Sequence, residues 1–74
     1  MTDKDDPDAK LAARYRELAE RFRHDAAISR RDAEMYASPV LRRECLKAAE
    51  SCEEAAQRLD AKAADCAAAA RKSG

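Results

Sequence analysis

Small and apolar positions recur every seven residues over two long segments of this 74-residue chain. Ala12, Ala19, Ala26 and Ala33 share one column in the first segment, and Ala49, Ala56, Ala63 and Ala70 share another in the second. Cys45, Cys52, Leu59 and Cys66 form a third column beside it. A heptad spacing returns a residue to the same side of a helix, so each column is a seam facing a neighbour. Leu11, Tyr15, Leu18, Phe22, Ala26, Ala33 and Tyr36 mark the apolar face of the first segment, with Leu18, Ala19, Phe22 and Ala26 at its centre. Asp25, Ser29 and Asp32 dilute that face in its second half, which is expected to pack less well. In the second segment Leu41, Cys45, Ala48, Cys52, Ala55, Leu59, Ala63 and Cys66 carry the inner face.

Local signals bound these segments. Residues 1–6 read as a short acidic, flexible tail. Asp6-Pro7 starts a helix, because Asp accepts from free amides at a helix N-terminus and Pro is tolerated at the first helical position. Asp8 adds negative charge where the helix dipole favours it. Ser38-Pro39 repeats the signal, and the residue before a proline is pushed out of helical geometry. The spacing predicts helices over residues 7–37 and 39–72, with a tight, glycine-free turn around residue 38 and Arg71 and Lys72 at the negative end of the second dipole. Two helices of similar length joined by a short turn make an antiparallel hairpin, an all-α fold. Residues 7–72 are then a single domain. Two helices alone enclose little core, and chains this small need a staple or a partner. The expected solution is a homodimer that forms a four-helix bundle.

Composition sharpens this picture. Five Leu, one Ile, one Val and one Phe are few, and 19 Ala supply the remaining apolar content. Alanine is the strongest helix former. The chain is 41% charged, yet 15 basic and 15 acidic residues cancel. Such a balance gives no global reason to expect nucleic acid or an anionic membrane as partner. The longest apolar run, Ala67 to Ala70, is far below the roughly 20 residues that span a bilayer. The acidic beginning MTDKDDPD lacks an apolar stretch behind it and does not read as a secretory signal. Three cysteines, an odd count, then read as reduced thiols in the cytoplasm.

Candidate chemistry is sparse. Cys45 and Cys52 lie two helical turns apart, about 10 Å along the axis, too far to share one zinc ion with sulfur ligands at about 2.3 Å. The lone His24 shares a polar column with Glu17 and Arg31. A metal or redox role for Cys45, Cys52 or Cys66 would have to be assembled between subunits, whereas free cysteine packs readily as a small hydrophobe. Arg16, Arg23 and Arg30 form a basic column, with Glu17, Glu20 and Asp25 interleaved. Glu17 and Arg21 have the four-residue spacing of a helix-supporting pair. A salt-bridged face explains this stripe better than phosphate tracking. Arg30, Arg31, Arg42 and Arg43 cluster near the turn and are the best place for an anionic partner, protein or nucleic acid. Tyr15 and Tyr36 are expected to pack their rings in the seam with hydroxyls at its rim. No nucleophile and base set, phosphate-cradling glycine loop or cofactor motif is present, so the chain reads as non-enzymatic.

The stretch Tyr15-Arg16-Glu17-Leu18-Ala19-Glu20-Arg21, the turn Ser38-Pro39-Val40-Leu41-Arg42-Arg43 and the run Ala48-Ala49-Glu50-Ser51 resemble a group of small helical-hairpin proteins from alphaproteobacteria such as rhizobia. The resemblance covers about residues 12–60. Cys45 and Cys52 depart from it, standing where members often carry Leu, Tyr or Trp. It implies a hairpin fold and a bacterial cytosolic setting, and brings no activity or site residues. The expected protein is a structural or interaction module that self-associates through Leu11, Tyr15, Leu18, Ala19, Phe22, Ala26, Ala33, Tyr36, Leu41, Cys45, Ala49, Cys52, Ala56, Leu59, Ala63 and Cys66, and meets a further protein partner through its faces. The alternatives are thiol chemistry across the dimer and anion binding at the turn.

Overall fold

Both helix starts follow from their caps. In the computed structural model, which describes residues 6–73, the Asp6 carboxylate accepts from the Asp8 amide at 2.9 Å, and Pro7 opens the first helix. Asp6 therefore belongs to the helix cap, and residues 1–5 of the expected tail lie outside the described residues. Helix α1 spans Pro7–Met35 and helix α2 spans Pro39–Ser73. The Ser38 hydroxyl faces the Leu41 amide at 3.4 Å, and the Ser38 carbonyl accepts the Arg42 amide at 3.0 Å, the first helical bond of α2.

Helix α1 ends two residues before the expected boundary at Ala37. Tyr36 is already extended, with φ −92° and ψ 133°. No basic residue lies in the last turn of α1 to satisfy its terminal carbonyls. Arg42, from the next helix, donates its Nε to the Tyr36 carbonyl at 2.7 Å instead. The connection crosses residues 36–38 with no positive φ among the described residues.

The two helices pack lengthwise against each other, and no strand occurs among the described residues. The Cα envelope measures 57 × 16 × 10 Å, so the molecule is a rod one hairpin thick. Its centre is alanine. Ala12, Ala19, Ala26, Ala33, Ala49, Ala56 and Ala63 are the buried residues, each 5% exposed or less, while Ala70 is half-buried near the end of α2. No larger side chain is fully buried among the described residues. The placement of Leu18 and Phe22 at the centre of the α1 face is corrected accordingly: Leu18 is exposed and Phe22 half-buried. A bulky side chain in the seam would hold the backbones apart and cost the dispersion contacts that close approach provides. Ala33, in the half diluted by Asp25, Ser29 and Asp32, is the least covered of the seven at 5%.

Candidate interaction surface

Position four after each seam alanine lies about 50° round the helix in one direction, and position three lies about 50° round in the other. Each helix therefore has two flanks beside its buried column, and side-chain chemistry distinguishes them. On α1 the first flank is Arg16, Arg23 and Arg30; on α2 it is Leu46, Glu53, Asp60 and Ala67. These flanks meet. Arg23 pairs with Asp60, and Arg30 pairs with Glu53. The second Arg30 nitrogen donates to the other Glu53 oxygen at 2.7 Å, making a two-pronged pair. One heptad forward on α1 is one heptad back on α2, as an antiparallel register requires. The matching seven-residue spacing of Glu53 and Asp60 was the sequence signal for these bonds.

Electrostatics on this edge follow from the pairing. The hydrogen bond from Arg30 holds the Glu53 carboxyl below the ordinary carboxylate range, and the Arg30 charge adds to the shift. The Glu53 carboxylate in turn raises the Arg30 guanidinium. Both side chains remain close to half-exposed, so water and salt screen the pair. Arg23 also reaches Glu20 of its own helix at 3.2 Å. The expected Glu17–Arg21 pair is not among the ion pairs of the described residues; the helix-supporting contact is Glu20–Arg23 at three-residue spacing.

The opposite edge is apolar. With the charged flanks together, the other two flanks must face the other way. On α1 this flank is Tyr15, Phe22, Ser29 and Tyr36, and on α2 it is Cys45, Cys52, Leu59 and Cys66. Tyr15, Phe22, Leu59 and all three cysteines are half-buried, and Tyr36 is 42% exposed. One column further round lie Leu11, Leu18 and Leu41, also exposed. Lys62 sits at this edge with its ammonium 5.9 Å from the centre of the Tyr15 ring. The expected seam thus separates into three parts. Its alanines are buried between the helices, its rings and thiols line one edge, and Leu11, Leu18 and Leu41 lie outside the hairpin contact.

The cysteines are free thiols, and no group of three or more His, Cys, Asp or Glu able to hold a metal ion occurs among the described residues. His24 is exposed. Near the turn, the expected arginine patch is partly engaged: Arg30 is tied to Glu53 and Arg42 to the Tyr36 carbonyl, while Arg31 and Arg43 are exposed. Surface depressions are shallow. One is lined by Leu18, Arg21, Phe22, His24 and Asp25 on α1, and another by Arg30, Ala33, Glu34, Arg42 and Leu46 near the turn. No described helix is long and apolar enough to cross a membrane. The chain matches no protein-family model, and no curated protein or solved structure matches it either.

Proposed function

We propose that this chain is a non-enzymatic structural or interaction protein whose working form is a self-associated bundle, two hairpins joined along their apolar edges into four antiparallel helices. The observation that carries the reading is the division of the hairpin into one edge closed by ion pairs and one edge lined by half-buried rings and thiols. Half-buried apolar side chains contribute only part of the roughly 1.5–3 kcal/mol available to a fully buried one. A second copy supplies the missing cover.

Surface area supports the same conclusion. The chain exposes 5702 Å². A compact monomer of its 8.2 kDa mass would expose about 4,500 Å². The excess, on the order of 1,000 Å², is that of a rod two helices wide, and it leaves room for the roughly 800 Å² that each partner buries in a stable interface. Covering the apolar edge would also place the three thiols between chains, where they pack as small hydrophobes. The resemblance to bacterial helical-hairpin proteins fits this reading and a cytoplasmic setting. Sedimentation equilibrium over a dilution series tests it. The expected species has twice the 8.2 kDa chain mass, and a helical monomer at micromolar concentration would overturn the proposal.

A further inference from the structure

The outer flank of α1 carries a second heptad pattern that the hairpin itself does not use. Leu11, Leu18, Asp25 and Asp32 form one column. Arg14, Arg21, Ile28 and Met35 form the next column round the helix. The two columns alternate at steps of three and four residues, the spacing of a coiled-coil seam. All of these side chains are exposed, Ile28 at 42% and Met35 at 82%. None of Arg14, Arg21, Asp25 and Asp32 enters an ion pair among the described residues, in contrast to Arg23 and Arg30 on the other side of α1.

The two columns complement each other when one is reversed. Read forward, the first is Leu, Leu, Asp, Asp. Read backward, the second is Met, Ile, Arg, Arg. An antiparallel copy laid on this flank sets Leu11 against Met35 and Leu18 against Ile28. One and two heptads further, the same register sets Asp25 against Arg21 and Asp32 against Arg14. Every level matches apolar with apolar or acid with base. A copy with its turn at the same end would instead set each charge against itself, Arg14 on Arg14 and Asp25 on Asp25. The corresponding stripe of α2 has Leu41 as its one large apolar residue, so it offers no equivalent anchor.

We propose that α1 binds α1 of a second copy through this flank, antiparallel, about a two-fold axis crossing the helix between Arg21 and Asp25. This register rests on the self-association reading above and specifies its geometry. A two-fold contact is isologous, so each pairing occurs twice. The shallow depression lined by Leu18, Arg21, Phe22, His24 and Asp25 lies on the axis. Leu11 and Leu18 stand between the Arg14 and Arg21 column of this flank and the column of Tyr15 and Phe22, so the contact borders the ring-lined edge.

Arg14 and Asp32 give the decisive test. They lie eighteen residues apart in one helix, about 27 Å, so no contact within the chain links them. Arg14→Asp and Asp32→Arg each leave two like-charged pairs in a homodimer. Neither change opposes the helix dipole, because the acid is added in the N-terminal half and the base in the C-terminal half. Each variant alone is expected to self-associate at least about tenfold more weakly than the parent chain at low salt. Mixed in equal amounts, the two variants regain parental affinity as a heterodimer, read by native mass spectrometry of mass-tagged chains. The double variant R14D/D32R regains it alone. If the parent dimerises, and both variants dimerise equally well and mix statistically, the register is wrong although self-association stands. If the parent is a helical monomer, both proposals fall. Circular dichroism of each variant confirms that the helices persist.

Discussion

Ala56→Leu probes the seam directly. Ala56 is 1% exposed and lies between Glu53 and Asp60 on α2, so the ion pairs to Arg30 and Arg23 flank it on either side. Leucine adds three carbons. Buried without strain, they would contribute about 0.8 kcal/mol each. That gain requires space, and a side chain with almost no accessible surface has none in front of it. The helices must separate locally to make room. Separation uncovers neighbouring alanines, including Ala19 and Ala49, which are both 0% exposed, and pulls the flanking arginines from their carboxylates. Overpacking of this kind costs about 1–3 kcal/mol net. For a chain this short, each kcal/mol corresponds to roughly 4–8 °C in Tm. Thermal unfolding by circular dichroism, with all chains at one fixed concentration, reads the shift, because the Tm of an oligomer depends on concentration. Ala19→Leu on the facing helix should behave alike. Ala61→Leu, at an exposed position of α2, should stay within about 0.5 kcal/mol of the parent. Unchanged melting of both seam variants would refute the claim that the alanine columns set the helix separation.

Acid should act through Glu53. Its folded-state carboxyl titrates below its ordinary value of 4.5, so its stabilisation is present in full above that value and is lost as pH falls through the lowered one. The Tm difference between parent and Glu53→Gln is expected to be constant from neutral pH to about pH 5 and to shrink under stronger acid; a difference that persists at pH 2 would contradict the pairing. Asp6→Ala removes the acceptor for the Asp8 amide and should cost about 1 kcal/mol in urea unfolding. Replacing Cys45, Cys52 and Cys66 together by Ala should change Tm modestly and leave zinc and copper titrations indistinguishable from the parent, whereas loss of tight metal binding would establish thiol chemistry between subunits.

Much of this architecture is written locally. Asp6-Pro7 and Ser38-Pro39 place both helix starts because capping and the proline ring act over two or three residues. The seven-residue columns place Ala12, Ala19, Ala26 and Ala33 opposite Ala49, Ala56 and Ala63 because angular position on a helix depends only on spacing. The end of α1 was not legible in this way. Tyr36 leaves the helix where its carbonyl meets Arg42, a group from the following element. The role of the large apolar residues was not legible either. Spacing puts Leu11, Leu18 and Leu41 on the same broad face as the alanines, and only the separation of the helices decides that they stay outside.

The sequence by itself determined two helices, the start of each and the alanine column on each, since these follow from caps, proline and period. The tertiary structure decided which flank of each column faces its counterpart. On a single helix the flank with Arg23 and Arg30 and the flank with Tyr15 and Phe22 are equivalent neighbours of the seam. Pairing with Glu53 and Asp60 across the hairpin closes the first, and so turns the rings and cysteines to the open edge. That choice depends on the relative rotation of two helices, a quantity that no single stretch of sequence contains.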